Sequence, residues 1–176
     1  MSRIETIGDG RFLRLLSRDG WEYAERPNIS GIVVIVAVTD DAKLLLVEQY
    51  RPSVDRRVIS LPAGLVGDQP GQEGEDLAVG AIRELEEEAG YRAERMEVLV
   101  AGPTAVGSSS DIATLMRARG LRRVSAGGGD EHEDIVVHEV PLSGVPRWLG
   151  EQASPERMID PKIYAGLYFA LHDAAG

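Results

Sequence analysis

"AIRELEEEAGY", Ala81–Tyr91, places glutamates at positions 84, 86, 87 and 88, with Arg83 before them and Gly90 after them. Either these residues form a solvated helix face or they hold metal ions, and that choice decides how the rest of the chain reads. With residues at 100° steps around a helix, Leu77, Ala78, Ala81, Ile82, Leu85 and Ala89 share one broad arc, the stripe an amphipathic helix turns to a core. Glu84 and Glu88 lie one turn apart at the edge of that arc. Glu87 lies beside Glu84, and Glu86 points to solvent. Like charges at i,i+4 cost an isolated helix about 0.2–0.5 kcal/mol per pair, and more where they are partly desolvated. Arg83 is four residues from Glu87 and relieves one charge, but Glu84 and Glu88 still face each other. A hard cation held by oxygen ligands removes that conflict. A bare run of glutamates reads as a solvated face. Its position at the border of the core arc, and the glycine-rich turn before it, favour the metal.

The rest of the composition is compatible with that choice. The chain has 176 residues, 43% of them hydrophobic, which suits one domain with its own core. The longest apolar run, Ile32–Val38, has seven residues, far short of a membrane span. The N-terminal stretch "MSRIETIGDG" lacks an apolar signal core, so a cytoplasmic location is expected. The absence of cysteine excludes disulfides, thiol catalysis and thiolate metal sites, leaving oxygen ligands or the three histidines. A net charge of −10 argues against a nucleic acid partner. An anionic substrate would need a cation between it and the protein.

Outward from the acidic run, strands are expected in pairs. "RFLRLLSRDGWEYAER" has apolar clusters on both sides of Asp19-Gly20 and reads as a hairpin. "GIVVIVAVTDDAKLLLVEQYRP" reads as a second hairpin around Asp40-Asp41, its first strand buried on both faces. "RRVISLP" is a third short strand. "AGLVGDQPGQEGED" reads as loop, and the helix is expected from Glu73 or Glu75 to Ala89, capped by Gly90. "RMEVLVAG", "IATLMRARGLRRV" and "IVVHEV" read as strands, separated by a small-residue loop "PTAVGSSSD" and an acidic loop "SAGGGDEHED". "SGVPRWLGEQ" and "DPKIYAGLYFALHDA" read as helices, the second with Asp160 as N-cap and Pro161 in the first turn. Strands in hairpins, with helices between the sets, argue for an α+β sandwich with a mixed or antiparallel sheet.

At this point the residues resemble a known family. "EDLAVGAIRELEEEAGY" resembles the Nudix box, Gx5Ex7REUxEExGU with U a bulky aliphatic residue. Glu75 is followed by seven residues and then by Arg83 to Gly90 in full register; Tyr91 stands at the final U. The opening glycine departs from the pattern. Gly64 has ten residues before Glu75, and Gly67 has five before Glu73, which then has nine before Arg83. We read "GDQPG" as a loop insertion, with Gly64 in the family's role. "LLLVEQYRPSVDRRVISLPAGL" and "DEHEDIVVHEV" resemble the ADP-ribose pyrophosphatase branch, with Ser60 where that branch commonly has glutamate. The resemblance runs from about Gly31 onward. It implies an α/β/α sandwich with a mixed central sheet over 31–176, and an N-terminal antiparallel segment over 1–30 that serves a homodimer.

The resemblance also implies a reaction and a division of roles. The reaction is hydrolysis of the pyrophosphate bond of ADP-ribose or a related nucleoside diphosphate sugar, with Mg²⁺ or Mn²⁺ as cofactor. Glu84 and Glu88, with Glu87 assisting, the Ala63 carbonyl and Glu133 would hold the metal. Arg83 would orient Glu87, and Glu75 would hold the loop or the arginine. Glu131 is favoured as general base over Glu133, though the order can be reversed; His132 between them reads as a chance loop histidine. Arg51 and Arg56 are candidates for a substrate phosphate or ribose, with plain surface charge as the alternative. Pro103 resembles a proline of ADP-ribose hydrolases at shorter spacing, which weighs toward other nucleotide sugars. Ser108 to Asp111, Ser109 and Asp111 foremost, are candidates for sugar hydroxyls. Two other classes stay open: a nucleotide-sugar sensor on the same fold without catalysis, and a purely structural acidic domain.

Overall fold

The computed structural model describes residues 3–129 and 134–172. An antiparallel meander comes first: β1 (Ile4–Asp9), β2 (Arg14–Arg18) and β3 (Trp21–Glu25). Its second turn is the expected one. Asp19 and Gly20 both take positive φ, 52° and 88°, the conformation that lets a two-residue turn match the twist of its strands.

The centre is built from β4 (Gly31–Val36), β5 (Lys43–Arg51), β6 (Arg56–Ser60) and β7 (Ala63–Val66), then α1 (Leu77–Ala89). There follow β8 (Tyr91–Arg92), β9 (Arg95–Pro103), β10 (Ile112–Arg119), β11 (Arg122–Arg123) and β12 (Val136–Pro141). A 3-10 turn leads into α2 (Val145–Gln152), then β13 (Arg157–Ile159) and α3 (Lys162–Leu171). Two four-stranded sheets result, ordered β7-β4-β10-β9 and β12-β5-β6-β13, and both mix parallel with antiparallel neighbours. β8 and β11 form a small separate pair.

Alternate residues of β4 serve two cores, as a strand's period of two requires. Val33 and Ile35 pack with Ala81, Leu85 and Ala89 of α1. Val34 and Val36 pack with Leu149 of α2 and with Ile163 and Leu167 of α3. Helices therefore cover both sides of the sheets, and the architecture is the expected α/β/α sandwich. None of the helices among the described residues is long and apolar enough to cross a membrane.

Four expectations need correction. β4 and β5 do not form a hairpin ladder. β7 and β10 occupy both edges of β4, so β5 pairs here only with the residues that follow β4, through the Val38–Leu44 bridge and the bonds from the Leu45 amide to the Ala37 carbonyl and from the Thr39 amide to the Lys43 carbonyl, then joins the other sheet. Residues 63–66 are not loop: they pair with β4 in the register Val34–Ala63 to Gly31–Val66. α1 starts at Leu77 rather than at Glu73 or Glu75. Asp76 is the N-cap, and its carboxylate accepts from the amides of Ala78 (2.9 Å) and Val79 (3.3 Å). α3 starts at Lys162, with Pro161 in the cap position; Asp160 still accepts from the Lys162 amide at 2.8 Å. β13, which pairs parallel with β6, was not expected at all.

Candidate active site

α1 and β7 bring the box residues together. Gly64 lies against Glu84 so closely that a Cβ there would coincide with the carboxyl group. The glycine is needed for this close approach, and Gly64, not Gly67, is the residue beside Glu84. One turn on, Glu88 is 4% exposed. Its Oε2 accepts from the Ala63 amide at 2.9 Å, and its Oε1 lies 3.4 Å from Gln49 Nε2. Helical geometry thus sorts the four glutamates as expected, with Glu88 deeper than the edge of the core arc. Glu86 points away and pairs with Arg92.

Arg83 is spent on carboxylates. Its Nη1 reaches Glu84 at 2.8 Å and Glu87 at 3.0 Å, and its Nη2 reaches Glu75 at 3.3 Å and the Leu65 carbonyl at 3.4 Å. Glu75 also accepts from the Gly67 amide at 3.4 Å, so it holds both the loop and the arginine. Arg83 is therefore an orienting group with little capacity left for substrate. Burial pushes the Glu84 carboxyl up to about 7; Arg83 opposes this, while Glu87 and Asp68 add to it. Among the described residues, no three carboxylate or imidazole groups already converge on a point that could hold an ion.

The box opens into a cleft of about 700 Å³. Of the candidate residues, Ala63, Gly64, Arg83, Glu84, Glu87, Glu88, Arg51 and Asp111 line it. Arg56, Pro103 and Ser109, offered to substrate, do not. Arg56 turns to the Pro155 and Val54 carbonyls. Pro103 ends β9, paired with Ile112. Ser109 uses its hydroxyl to accept from the Asp111 amide at 3.0 Å. Arg56 and Ser109 are thus engaged with backbone groups, and Pro103 is held in the β9–β10 ladder. Glu131 and Glu133, and His132 between them, lie outside the described residues. The chain just before them is fixed to the site: the amides of Gly128 and Gly129 donate to the carbonyls of Glu88 (2.9 Å) and Glu87 (3.0 Å).

Several residues that sequence reasoning passed over also matter here. Gln49 touches Glu88, and Arg26, Asp160 and Lys162 line the cleft. None belongs to a motif. The spacing that identifies the box carries no information about strands that meet it only in three dimensions.

A NUDIX domain model matches residues 30–157. The methanol dehydrogenase activator of Bacillus methanolicus is 36% identical, covering 98% of this chain and 92% of that one. The ADP-ribose pyrophosphatase of Bacillus subtilis (strain 168) is 34% identical over 64% of this chain, which spans 58% of that relative. The crystal structure of an ADP compounds hydrolase superposes with a TM-score of 0.73 over 97% of this chain and 90% of that one, at 23% identity. That last likeness speaks for the fold.

Proposed function

The chain belongs to the NUDIX domain family and is a Nudix hydrolase, and from that premise we propose that it cleaves the pyrophosphate bond of ADP-ribose or a related nucleoside diphosphate sugar. One observation carries the proposal. The described lining of the cleft has six carboxylates (Asp68, Glu84, Glu87, Glu88, Asp111, Asp160) against four cationic side chains (Arg26, Arg51, Arg83, Lys162). An anionic substrate is repelled by such a surface unless cations come with it.

The donor set fits a hard divalent ion. It is all oxygen, Gly64 clears the space around Glu84, and burial of the Glu84 carboxyl outweighs the one charge beside it, Arg83, which is shared with Glu75 and Glu87. Glu84 and Glu88, with Glu87, the Ala63 carbonyl and Glu133, would hold Mg²⁺ or Mn²⁺, which supplies charge neutralisation and polarises the reacting phosphate. Arg83 and Glu75 keep the box carboxylates in place. Glu131, or in the reversed order Glu133, takes the proton from a water as its oxygen attacks one phosphorus. The bridging P–O bond breaks, leaving a nucleoside monophosphate and a sugar phosphate. Arg51, exposed and lining the cleft, meets the non-reacting phosphate.

The segment over 1–30 is assigned to a homodimer. All six residues of β1 are exposed, and Ile4, Ile7 and Trp21 are 51%, 49% and 64% exposed. A bare edge strand beside apolar side chains is a pairing surface. Sedimentation of the purified protein checks this, and a monomer at all concentrations would refute it.

The function is tested by incubation with Mg²⁺ and, separately, ADP-ribose, ADP-glucose, GDP-mannose, NADH, a diadenosine polyphosphate and ATP, with the products identified. AMP and ribose 5-phosphate are expected from ADP-ribose. Tight binding of a nucleotide sugar without turnover of any compound would leave the sensor reading instead. The relative that matches along nearly its whole length favours a second reading, that this protein activates a methanol dehydrogenase. Adding it to that purified enzyme, with and without Mg²⁺, decides that reading.

A further inference from the structure

Arg26 belongs to no motif, yet it reaches the cleft from the N-terminal meander. Its Nε donates to Asp111 Oδ2 at 3.2 Å, and the two side chains are 33% and 13% exposed. Asp111 is itself held: its amide donates to Ser109 Oγ (3.0 Å), and its carbonyl accepts from the Thr104 amide (3.0 Å). The meander is tied to the same loop. The Ala24 amide donates to the Ser108 carbonyl (2.8 Å), the Ser110 amide to the Ala24 carbonyl (3.0 Å), and Trp21 Nε1 to the Gly107 carbonyl (3.1 Å). Arg26 is thus delivered and oriented, not a loose surface charge.

Strand order places this pair relative to the chemistry. Asp111 immediately precedes β10, which lies two strands from β7, the strand that carries Gly64 beside Glu84. At ~4.8 Å per strand the sideways offset is about 10 Å; Thr114 is level with Gly64, and the three residues back to Asp111 add about 10 Å along the strand, about 14 Å in all. Ile32 and Val34 of β4 and Ala113 of β10 line the cleft between them. A pyrophosphate with one sugar ring attached, together with the reach of the side chains at either end, covers such a span.

We propose that Arg26 and Asp111 together form the subsite for the hydroxyls of the terminal sugar, and that their mutual charge cancellation selects a sugar over a terminal phosphate. The inference rests on the hydrolase reading of the cleft. A lone arginine favours any anion and grips phosphate with two parallel N–H bonds. With Asp111 beside it, the net charge vanishes, and a carboxylate becomes available to accept from O–H groups. Guanidinium N–H groups not used on Asp111 serve hydroxyl lone pairs. A sugar's vicinal hydroxyls satisfy both partners; a terminal phosphate satisfies Arg26 and is repelled by Asp111.

The test compares kcat and KM for ADP-ribose and for ATP, the terminal-phosphate probe, with Mg²⁺ present. Asp111→Asn keeps size and removes the charge. It should raise the ATP to ADP-ribose ratio of kcat/KM by about tenfold or more. Arg26→Lys keeps the charge but loses the fork, and should raise KM for ADP-ribose with kcat little changed. An Asp111→Asn protein of parental Tm with an unchanged ratio overturns the proposal, and so does an unchanged KM in Arg26→Lys. If the parent turns over neither compound, the hydrolase reading fails instead. The same variants are then compared for binding of ADP-ribose against ATP, where an unshifted ratio again overturns the pair.

Discussion

A buried and a half-buried glutamate of this protein have opposite fates. Glu48 on β5 has a side chain 4% exposed and is surrounded by partners: the cations Arg57, Nε at 2.8 Å, and Arg157, Nε at 3.1 Å, and the imidazole of His138, Nε2 at 3.0 Å. Burial alone would raise its pKa, but His138, Arg57 and Arg157 outweigh that and hold the carboxyl below its usual range. Glu84 on α1 has a side chain 14% exposed and one cationic neighbour, Arg83, which it shares with Glu75 and Glu87; burial wins there. Desolvation acts on both, and the supply of partners separates them. A buried carboxylate satisfied from within the chain holds strands together. One left short of positive charge beside an open cleft is ready for a cation from outside.

The comparison is tested most severely at Glu88. Glu88→Gln removes one of the two carboxylates a turn apart and should cut turnover by about a thousandfold, the effect of several kcal/mol of lost charge stabilisation, with Tm little changed. Undiminished activity would remove the metal assignment. At the other pole, Glu48→Gln leaves Arg57 and Arg157 without their shared anion. It should cost about 3–5 kcal/mol of stability while the surviving folded protein keeps its kcat. Loss of kcat at parental Tm would show that Glu48 is not the structural member of the pair. Gly64→Ala drives a methyl group into the Glu84 carboxyl and should lower kcat about a hundredfold through misplacement, far more than it lowers Tm.

Titration sharpens the contrast, because the signs differ. The folded-state pKa of Glu48 is lowered, so its contribution is present above the unfolded value and is lost as pH falls below about 4.5. Glu84 is raised to about 7, so its cost to folding grows as pH rises from about 4.5 toward 7. A bound cation removes that cost. The Tm gained with Mg²⁺ over chelator should therefore be larger at pH 8 than at pH 5.5, by a few degrees at about 2–4 °C per kcal/mol, and should shrink in Glu84→Gln. An equal gain at both pH values in the parent would show that Glu84 does not meet the ion.

How much of this was legible follows from where the information lies. The box helix was legible because its period, its cap at Gly90 and its spacing back to Glu75 are all local. The place of Glu84 and Glu88 at the border of the core arc followed from 100° steps alone; the full burial of Glu88 did not. Glu48 was not legible, since every neighbour in "KLLLVEQYR" from Leu44 to Gln49 is buried and alternation fails to mark it. Its partners come from 9, 90 and 109 residues away. The Asp40-Asp41 turn was read as a hairpin because a sequence shows that two strands are adjacent, not that β10 and β7 already occupy both edges of β4. Arg26 was missed for the same reason: only the stitching of Ala24 to Ser108 brings it to the cleft.

Gly64 has a further consequence, for how such a protein can change over generations. Any side chain at position 64 meets Glu84 at once, so single-codon drift there is closed while the hydrolytic end is in use. Arg26 and Asp111 sit on connections outside the sheets, where a replacement disturbs no strand ladder. If the proposed roles hold, new substrates can therefore be acquired at one end of the cleft while the other end stays frozen, so a single catalytic apparatus can pass unchanged between enzymes of different specificity.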